Sequence, residues 1–259
     1  MRIPVAHGEG RFLMTDELLA ELVRKNLTAF RYSDDAGKVR EDFPVNPNGA
    51  LYNLAAVTNP AGNVMAIMPH PERSTAGDPI FSSMREYIEK HAYKAAAPLE
   101  YAPAPYTIEK YVAPQKSTEL LIDLVITDNE AISMQNALHH AGINAQVTRQ
   151  THWEIIGSPD LNAIHASGEL YNSNKEKVIE SKPQSNSTSF LVRYKDDFVG
   201  QAKKDTLTNH LGVKGINSLR KGVLWNITAE DGKIEDVASR ILDTHILFNP
   251  FSQDCFRYF

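Results

Sequence analysis

The chain has 259 residues, 42% of them hydrophobic and 23% charged, which is ordinary for globular proteins and allows one large or two to three small domains. Its net charge of −5 and the lack of a Lys/Arg-rich run argue against nucleic acid as the principal partner. No apolar run approaches the roughly 18 residues that span a bilayer, residues 1–20 lack a signal-peptide core, and the single cysteine, Cys255, allows no intrachain disulfide, so we expect a cytoplasmic protein without a membrane partner.

Residues 1–95 alternate short apolar runs with turn and helix signals, which predicts a mixed α/β segment. Two glycines flank a carboxylate near the start, and Asn-Pro and Asp-Pro pairs mark later turns and a helix start. In chain order the predicted elements are a strand at 2–6, a helix at 15–25, a strand at 29–32, a hairpin with strands at 54–58 and 64–68, and a helix from Asp78 that carries Ile80, Phe81, Met84 and Ile88.

A histidine and a glutamate follow the second hairpin strand. The apolar run 64–68 stops at Pro69, and His70 and Glu72 come next. Two residues apart in extended geometry, these side chains share a face, and they would border a cleft if the strand is parallel. A histidine held by a carboxylate is the base and orienter of nucleophilic catalysis, whereas the alternative is a surface hydrogen bond.

Four blocks of residues carry a family resemblance over about residues 1–92. In order and spacing they resemble the C-terminal half of a class I glutamine amidotransferase, namely the glutaminase subunit of phosphoribosylformylglycinamidine synthase of purine biosynthesis. The blocks are His7-Gly8-Glu9-Gly10-Arg11-Phe12, Arg31-Tyr32, Pro44-Val45-Asn46-Pro47-Asn48-Gly49 and Met68-Pro69-His70-Pro71-Glu72-Arg73.

The resemblance implies a Cys-His-Glu triad in which His70 is the general base and Glu72 its orienter, with Glu9 as a further cleft residue that binds substrate. In the family the nucleophilic cysteine and the oxyanion-hole glycines lie in the other half of the domain. Cys255 lies 185 residues after His70, and nothing around it resembles a nucleophile turn. We therefore expect that the chain is not a glutaminase alone and works with a chain that carries the cysteine-containing half.

Residues 95–117 predict a linker between residues 1–94 and the rest of the chain. An Ala-Ala-Ala-Pro run and repeated prolines exclude a helix and favour an extended spacer. Three tyrosines in this segment suit either docking on a domain face or a solvated linker. A domain boundary is expected here in both cases.

Residues 118–259 contain an internal repeat. Each half shows Gly-Ile-Asn, a strand with a tryptophan about ten residues later (Trp153 and Trp225), a helix, and an aromatic residue followed by asparagine. The element order βαββαβ predicts ferredoxin-like repeats at 118–182 and 183–259, the first with a shortened second helix. Sheets of this kind pair readily, so a covalent pseudo-dimer is expected.

The second repeat resembles the small structural subunit of the same synthase, which is ferredoxin-like and bridges the glutaminase to the ATP-dependent synthetase. The resemblance is carried by Lys221-Gly222-Val223-Leu224-Trp225-Asn226-Ile227 and Leu247-Phe248-Asn249-Pro250. The predicted fold class is thus α/β and α+β: part of a flavodoxin-like amidotransferase domain, then two ferredoxin-like repeats.

Both resemblances imply a subunit of phosphoribosylformylglycinamidine synthase that acts on glutamine within a complex. No cofactor is expected on this chain, because ATP and Mg would bind the partner synthetase subunit and no nucleotide fingerprint occurs here. A metal site is disfavoured, since the adjacent His139 and His140 cannot both face one ion. Two alternatives stay open: a scaffold with an idle amidotransferase half, and a ferredoxin-like tandem that senses a small molecule.

Overall fold

The computed structural model describes residues 1–7, 10–90, 99–101, 106–180 and 184–259. Within these ranges the chain divides into two compact units, Met1–Pro103 and Ala104–Phe259. The predicted linker spans this division, and its residues 95–98 and 102–105 lie outside the described ranges. None of the helices in the described ranges is long and apolar enough to cross a membrane.

The described part of the first unit contains a three-stranded sheet and two α-helices. Its strands run in the order β1-β2-β3, and both strand pairs are antiparallel. The elements are α1 (Asp16–Arg24), β1 (Phe30–Arg31), β2 (Leu54–Thr58), β3 (Met65–Ile67) and α2 (Asp78–Glu89). The predicted hairpin and both predicted helices are confirmed.

The side chains at the ends and on the faces of these helices explain where they form and what they bury. Thr15 caps α1, because its side chain accepts the backbone N–H of Leu18 at 3.3 Å. In α2 the proline at the second position suits the helix start, where a backbone N–H is not needed. Only Ile80 of its predicted apolar face is buried, and Phe81, Met84 and Ile88 are 45%, 49% and 59% exposed.

One expectation about this unit is wrong, and one condition is not met. Residues 2–6 do not form a strand, although the carbonyl of Pro4 accepts the backbone N–H of His70 at 2.8 Å. The strand before His70 is antiparallel and belongs to a hairpin, so the rule that sites lie at the carboxyl ends of parallel strands does not apply to it. The apolar run predicted the strand, but it showed neither the direction of the neighbouring strand nor the extent of burial, since Val64 is 61% exposed.

The second unit is built on one seven-stranded sheet among its described residues. The strand order is β4-β10-β8-β9-β6-β5-β7, antiparallel except for the β4–β10 pair. The strands are β4 (Glu109–Lys110), β5 (Ser117–Leu124), β6 (Ala145–Gly157), β7 (Glu176–Ile179), β8 (Ser187–Tyr194), β9 (Ile216–Ala229) and β10 (Gln253–Arg257); the helices are α3 (Asn129–His140), α4 (Leu161–Ser167), α5 (Phe198–Asp205) and α6 (Ile234–Thr244).

Each half of this unit has the order β-α-β-α-β, where two consecutive strands were predicted after the first helix. The structure has one continuous strand there, of 13 residues in β6 and 14 in β9. These two strands pair with each other along almost their full length, from Ala145 opposite Ala229 to Gly157 opposite Ile216. Because β6 and β9 pair with each other over this length, each stays extended, and no hairpin turn forms within either strand.

The strand registers repeat between the two halves. Leu120 of β5 lies opposite Trp153 of β6, and Phe190 of β8 lies opposite Trp225 of β9. Both tryptophans are buried, at 3% and 7% exposure. The two halves are therefore related by an approximate two-fold axis between β6 and β9.

A basic residue from each half lies over the tryptophan of the other half. In the central strand pair, Arg149 lies opposite Trp225 and Lys221 lies opposite Trp153. The distance from the cationic group to the ring centre is 6.0 Å in both cases, within the range of a cation–π contact. These reciprocal contacts are the second sign of two-fold symmetry.

The two hydrophobic cores on the helical side of the sheet each draw on both halves. One core combines α6 and strands of the second half with Leu138 of α3, from the first half. The other combines Ile164 of α4 and strands of the first half with Leu207, which lies just after α5 in the second half. Neither half therefore has a complete core of its own.

Tyr111, within the predicted linker, covers part of the other side of the sheet. Its hydroxyl donates a 2.5 Å hydrogen bond to Glu154, whose carboxylate is paired with Arg193 at 3.0 Å. Its ring stacks on Tyr258, with 5.3 Å between ring centres. Both members of the Glu154–Arg193 pair are almost fully buried. Because Tyr111 is hydrogen-bonded to this buried pair, the segment around residue 111 is part of the second unit.

Candidate active site

His70 and Glu72 lie in hydrogen-bond contact just beyond the β2–β3 hairpin. The segment Pro71–Arg73 forms one 3₁₀ turn, which brings Glu72 Oε1 to 2.7 Å from His70 Nδ1. The side chain of His70 is 31% exposed, which leaves it within reach of a ligand. The structure thus brings the two predicted residues together, through a turn and not through an extended segment.

The partner of Nδ1 fixes which nitrogen of His70 can act as a base. The pKa of Glu72 is lowered, first by a hydrogen bond with its own backbone and next by the hydrogen bond from His70. The carboxylate is therefore ionised at neutral pH and can only accept, so Nδ1–H of His70 donates to it. In the neutral ring Nε2 then carries no proton and is free to take one.

A second histidine, His7, lies close to this pair. The backbone of this N-terminal segment is tied to the site, since Pro4 binds the backbone N–H of His70. His7 Nε2 is 2.7 Å from the hydroxyl of Tyr32. The pKa of His7 is lowered, first by burial and next by the charge of His70, so His7 is neutral at neutral pH.

Sequence reasoning did not single out the side chain of His7. The residue stood in the His-Gly-Glu-Gly-Arg block, but its contact with Tyr32 joins positions 25 residues apart and depends on how the chain returns on itself. The only hint in the sequence was that His7 and Tyr32 both lie in blocks that carry the family resemblance. Glu9, the predicted substrate-binding residue, lies outside the described residues.

A cavity of about 560 Å³ adjoins the site. Its lining includes Pro4, Tyr32 and Pro69, the residue that precedes His70. This volume falls in the range of small-molecule sites. Across the described ranges, no group of three or more His, Cys, Asp or Glu side chains could hold a metal ion.

Cys255 does not have the properties of a nucleophile. It lies on β10 in the hydrophobic core of the second unit and is 6% exposed. Burial raises the pKa of its thiol to about 12, so the reactive thiolate is absent at neutral pH.

Comparison with known proteins gives matches to the first unit. Residues 1–90 match the family model of the CobB/CobQ-like glutamine amidotransferase domain. Phosphoribosylformylglycinamidine synthase subunit PurQ of Methanosarcina acetivorans is 39% identical over 98 residues, covering 35% of this chain and 41% of that protein. The PurQ subunits of Chlorobium chlorochromatii and Aquifex aeolicus are 47% and 45% identical over 75 residues, covering 29% of this chain and 31% and 32% of those proteins.

The matches cover only part of each relative and only part of this chain. The chain spans 41% of the length of the Methanosarcina relative and about a third of the other two. The four sequence blocks that carried the resemblance all lie within the matched range. Residues 1–90 are therefore a PurQ-like glutamine amidotransferase segment, homologous to PurQ over that range.

Proposed function

We propose that residues 1–90 supply the general base and its orienter to a glutaminase site of phosphoribosylformylglycinamidine synthase. The observation that carries this proposal is the 2.7 Å contact between His70 Nδ1 and Glu72, which leaves Nε2 free as a base. The homology of this segment to PurQ supports the same reaction and the pathway of purine biosynthesis.

In the proposed reaction, Nε2 of His70 takes the proton of a cysteine thiol, and the thiolate attacks the side-chain amide carbon of glutamine. The imidazolium then gives its proton to the departing nitrogen, which leaves as ammonia while a thioester forms. Water hydrolyses the thioester to glutamate, with His70 again as the base. Glu72 stabilises the imidazolium and keeps the ring in its required tautomer.

We propose that the nucleophilic cysteine comes from the cysteine-containing half of an amidotransferase domain and not from Cys255. The sequence holds one cysteine, and its thiol is buried in the core of the second unit. That half would complete the triad with His70 and Glu72. An ATP-dependent synthetase subunit, with ATP and Mg, would consume the ammonia.

For the second unit we propose an assembly role, as two ferredoxin-like repeats that link the glutaminase to the synthetase. The repeated registers and the reciprocal Arg149–Trp225 and Lys221–Trp153 contacts support a covalent pseudo-dimer. The competing role is a sensor of small molecules. Calorimetric titration of the chain with amino acids and nucleotides tests it, because a sensor would bind one of them without the synthetase.

The decisive experiment compares two nitrogen sources in the assembled complex. His70→Ala is expected to abolish glutamine-dependent synthesis and to preserve ammonium-dependent synthesis, because free ammonia needs no glutaminase. Glu72→Gln should give a smaller loss, since it removes the orienter and not the base. His210→Ala, at an exposed position in the second unit, is the matched control and should change neither activity.

Two results would contradict the proposal. Glutamine-dependent turnover that survives His70→Ala would mean that the amidotransferase segment is an idle part of a scaffold. Loss of both activities would mean that His70 is required for assembly and not for glutamine hydrolysis.

A further inference from the structure

The amide of Asn48 is oriented by two backbone contacts near the candidate site. Its Oδ1 accepts the backbone N–H of Ala50 at 3.2 Å, and its Nδ2 donates to the carbonyl of Gly10 at 2.9 Å. These contacts identify the NH₂ end of the amide. The side chain of Asn48 opposes the effect of burial on the pKa of Tyr32, so this amide lies beside the phenol.

The acceptor of the Tyr32 proton is His7. Burial raises the pKa of Tyr32 to about 12, against a smaller opposing effect of Asn48, so the phenol keeps its proton at neutral pH. The hydroxyl is 2.7 Å from Nε2 of His7 and has no other hydrogen-bond acceptor among the described residues. The phenol proton is therefore satisfied only when it points to that nitrogen, so Tyr32 donates and His7 accepts. Since His7 is neutral and its Nε2 accepts, the ring proton lies on Nδ1.

Nδ1 of His7 is shielded from solvent and has no hydrogen-bond partner among the described residues. A buried N–H without an acceptor is uncommon in folded proteins and calls for a missing partner. The backbone places this donor near the candidate base, because the carbonyl of Pro4, three residues before His7, accepts the backbone N–H of His70 at 2.8 Å. Tyr32, the partner of His7, lines the same cavity as Pro69, which precedes His70. A ligand held for attack near His70 would bring oxygen atoms close to His7.

We propose that His7 is a substrate-binding residue whose Nδ1–H donates a hydrogen bond to a carbonyl or carboxylate oxygen of an amino-acid amide. Tyr32 is a positioning residue that holds His7 in the tautomer with the proton on Nδ1. The identity of the ligand as glutamine rests on the proposed function. The direction of the hydrogen bond from Tyr32 to His7 does not rest on it.

The tautomer can be tested without activity, by ¹⁵N NMR of the full chain with ¹⁵N-labelled histidine. We expect neutral His7 to carry its proton on Nδ1, and we expect Tyr32→Phe to remove this preference. Tyr194→Phe, at an exposed position in the second unit, should leave the His7 signals unchanged. A proton on Nε2 in the unsubstituted chain would overturn the proposal, as would a Tyr32→Phe spectrum identical to it.

The binding role is tested by the KM for glutamine in the assembled complex. His7→Asn places an amide near the position of Nδ1, and His7→Gln places it near Nε2. The loss of one hydrogen bond to substrate corresponds to roughly a three- to tenfold effect, so His7→Gln should raise KM by about that factor. His7→Asn should raise it less, and ammonium-dependent activity should stay constant in both.

Equal KM values for the two variants, or a KM that neither changes, would show that His7 does not bind the substrate. Failure of the proposed function is seen separately, as glutamine turnover that survives His70→Ala. In that case the NMR experiment still decides the arrangement of His7 and Tyr32. Circular dichroism of each variant identifies any effect that comes from misfolding.

Discussion

Leu138 of the first repeat is fully buried in the same hydrophobic core as Phe190 of the second repeat. The relationship is reciprocal, because Leu207 of the second repeat is fully buried in the core that holds Ile164 of the first. Each core thus depends on a helical segment contributed by the other half. The second unit is a pair of repeats that complete one another.

The first prediction concerns the folding of fragments. Residues 104–259 should fold as a monomer, because both cores and the strand at Glu109–Lys110 are present. Residues 118–182 and 183–259 should each stay unfolded or aggregate, and should recover structure when mixed. Circular dichroism and light scattering at micromolar concentration check this. A cooperative, monomeric fold of either half alone would show that the shared cores are not required.

The second prediction concerns the two tryptophans. Truncation of a buried aromatic residue costs about 3–5 kcal/mol, so Trp153→Ala and Trp225→Ala should each lower the free energy of unfolding by an amount in that range. Trp153→Ala should be the more costly, because the indole N–H of Trp153 donates to the carbonyl of Leu170 at 3.0 Å. Urea unfolding followed by circular dichroism measures both.

Tyr194→Ala is the control for these truncations. This aromatic residue is 54% exposed, so its loss should change the free energy of unfolding by less than about 0.5 kcal/mol. If either tryptophan variant had the same free energy of unfolding as this control, that tryptophan would not be a core residue. The equivalent strand registers of the two halves would then not imply equivalent packing.

The sequence predicted the helices and the hairpin well because they depend on local signals. Thr15 begins α1 and the proline after Asp78 begins α2, and each acts on the backbone next to it. The continuous strands β6 and β9 were missed. These features depend on pairing between distant segments, as in the contact of Ala145 with Ala229, which local patterns do not specify.

The third prediction is a pH dependence that arises from His152. This residue is fully buried, with Nε2 2.6 Å from Glu119 and Nδ1 3.2 Å from Arg193. Arginine only donates, so Nδ1 accepts and the ring is neutral with its proton on Nε2. Burial lowers the pKa of His152, and the guanidinium adds to this effect, although the bond with Glu119 opposes both.

The sign follows from the lowered pKa. The unfolded chain binds a proton near its ordinary pKa of about 6.5, and the folded chain does so only at lower pH. The stability of the second unit should therefore be fully present above about pH 6.5 and be lost as pH falls through the folded pKa. Glu119, whose pKa is lowered by hydrogen bonds that outweigh its burial, should add a further loss below about pH 4.3.

Urea unfolding between pH 8 and pH 5 measures this dependence. Tryptophan fluorescence reports the second unit alone, since both tryptophans lie in it. His152→Gln should be less stable overall and show a flatter change between pH 6.5 and 5, whereas His210→Gln, at an exposed position, should keep the original slope. An unchanged slope in His152→Gln would assign the pH dependence to other groups.

The candidate site was predictable to the extent that its residues are neighbours in sequence. His70 and Glu72 are two positions apart, and their chemistry suggested a pair before the structure did. His7 and Tyr32 are far apart in the chain, and the direction of their hydrogen bond depends on the burial of the phenol and on which other groups lie within its reach. One sequence carries no record of such a network.

The fourth prediction concerns the exposed apolar side of α2. Met84 and Ile88 border a groove of about 440 Å³ between α2 and the β2–β3 hairpin, together with Val64, which is 61% exposed. Apolar surfaces of this kind mark interaction sites or cause aggregation. The PurQ relatives are more than twice as long as the matched segment, so they contain further polypeptide that could cover the equivalent surface.

We therefore expect the chain to self-associate at micromolar concentration and to become more soluble when co-expressed with a cysteine-containing amidotransferase half. The double variant Met84→Glu/Ile88→Glu should reduce self-association and should also weaken binding of that half, because both need the apolar groove. Ser82→Glu adds one charge to the same helix at an exposed position that does not line the groove, and should do neither.

Light scattering over a concentration series measures the self-association, and co-purification measures the binding of the amidotransferase half. A chain that is monomeric throughout, or a double variant that binds the half as well as the original does, would show that this side of α2 is ordinary solvated surface.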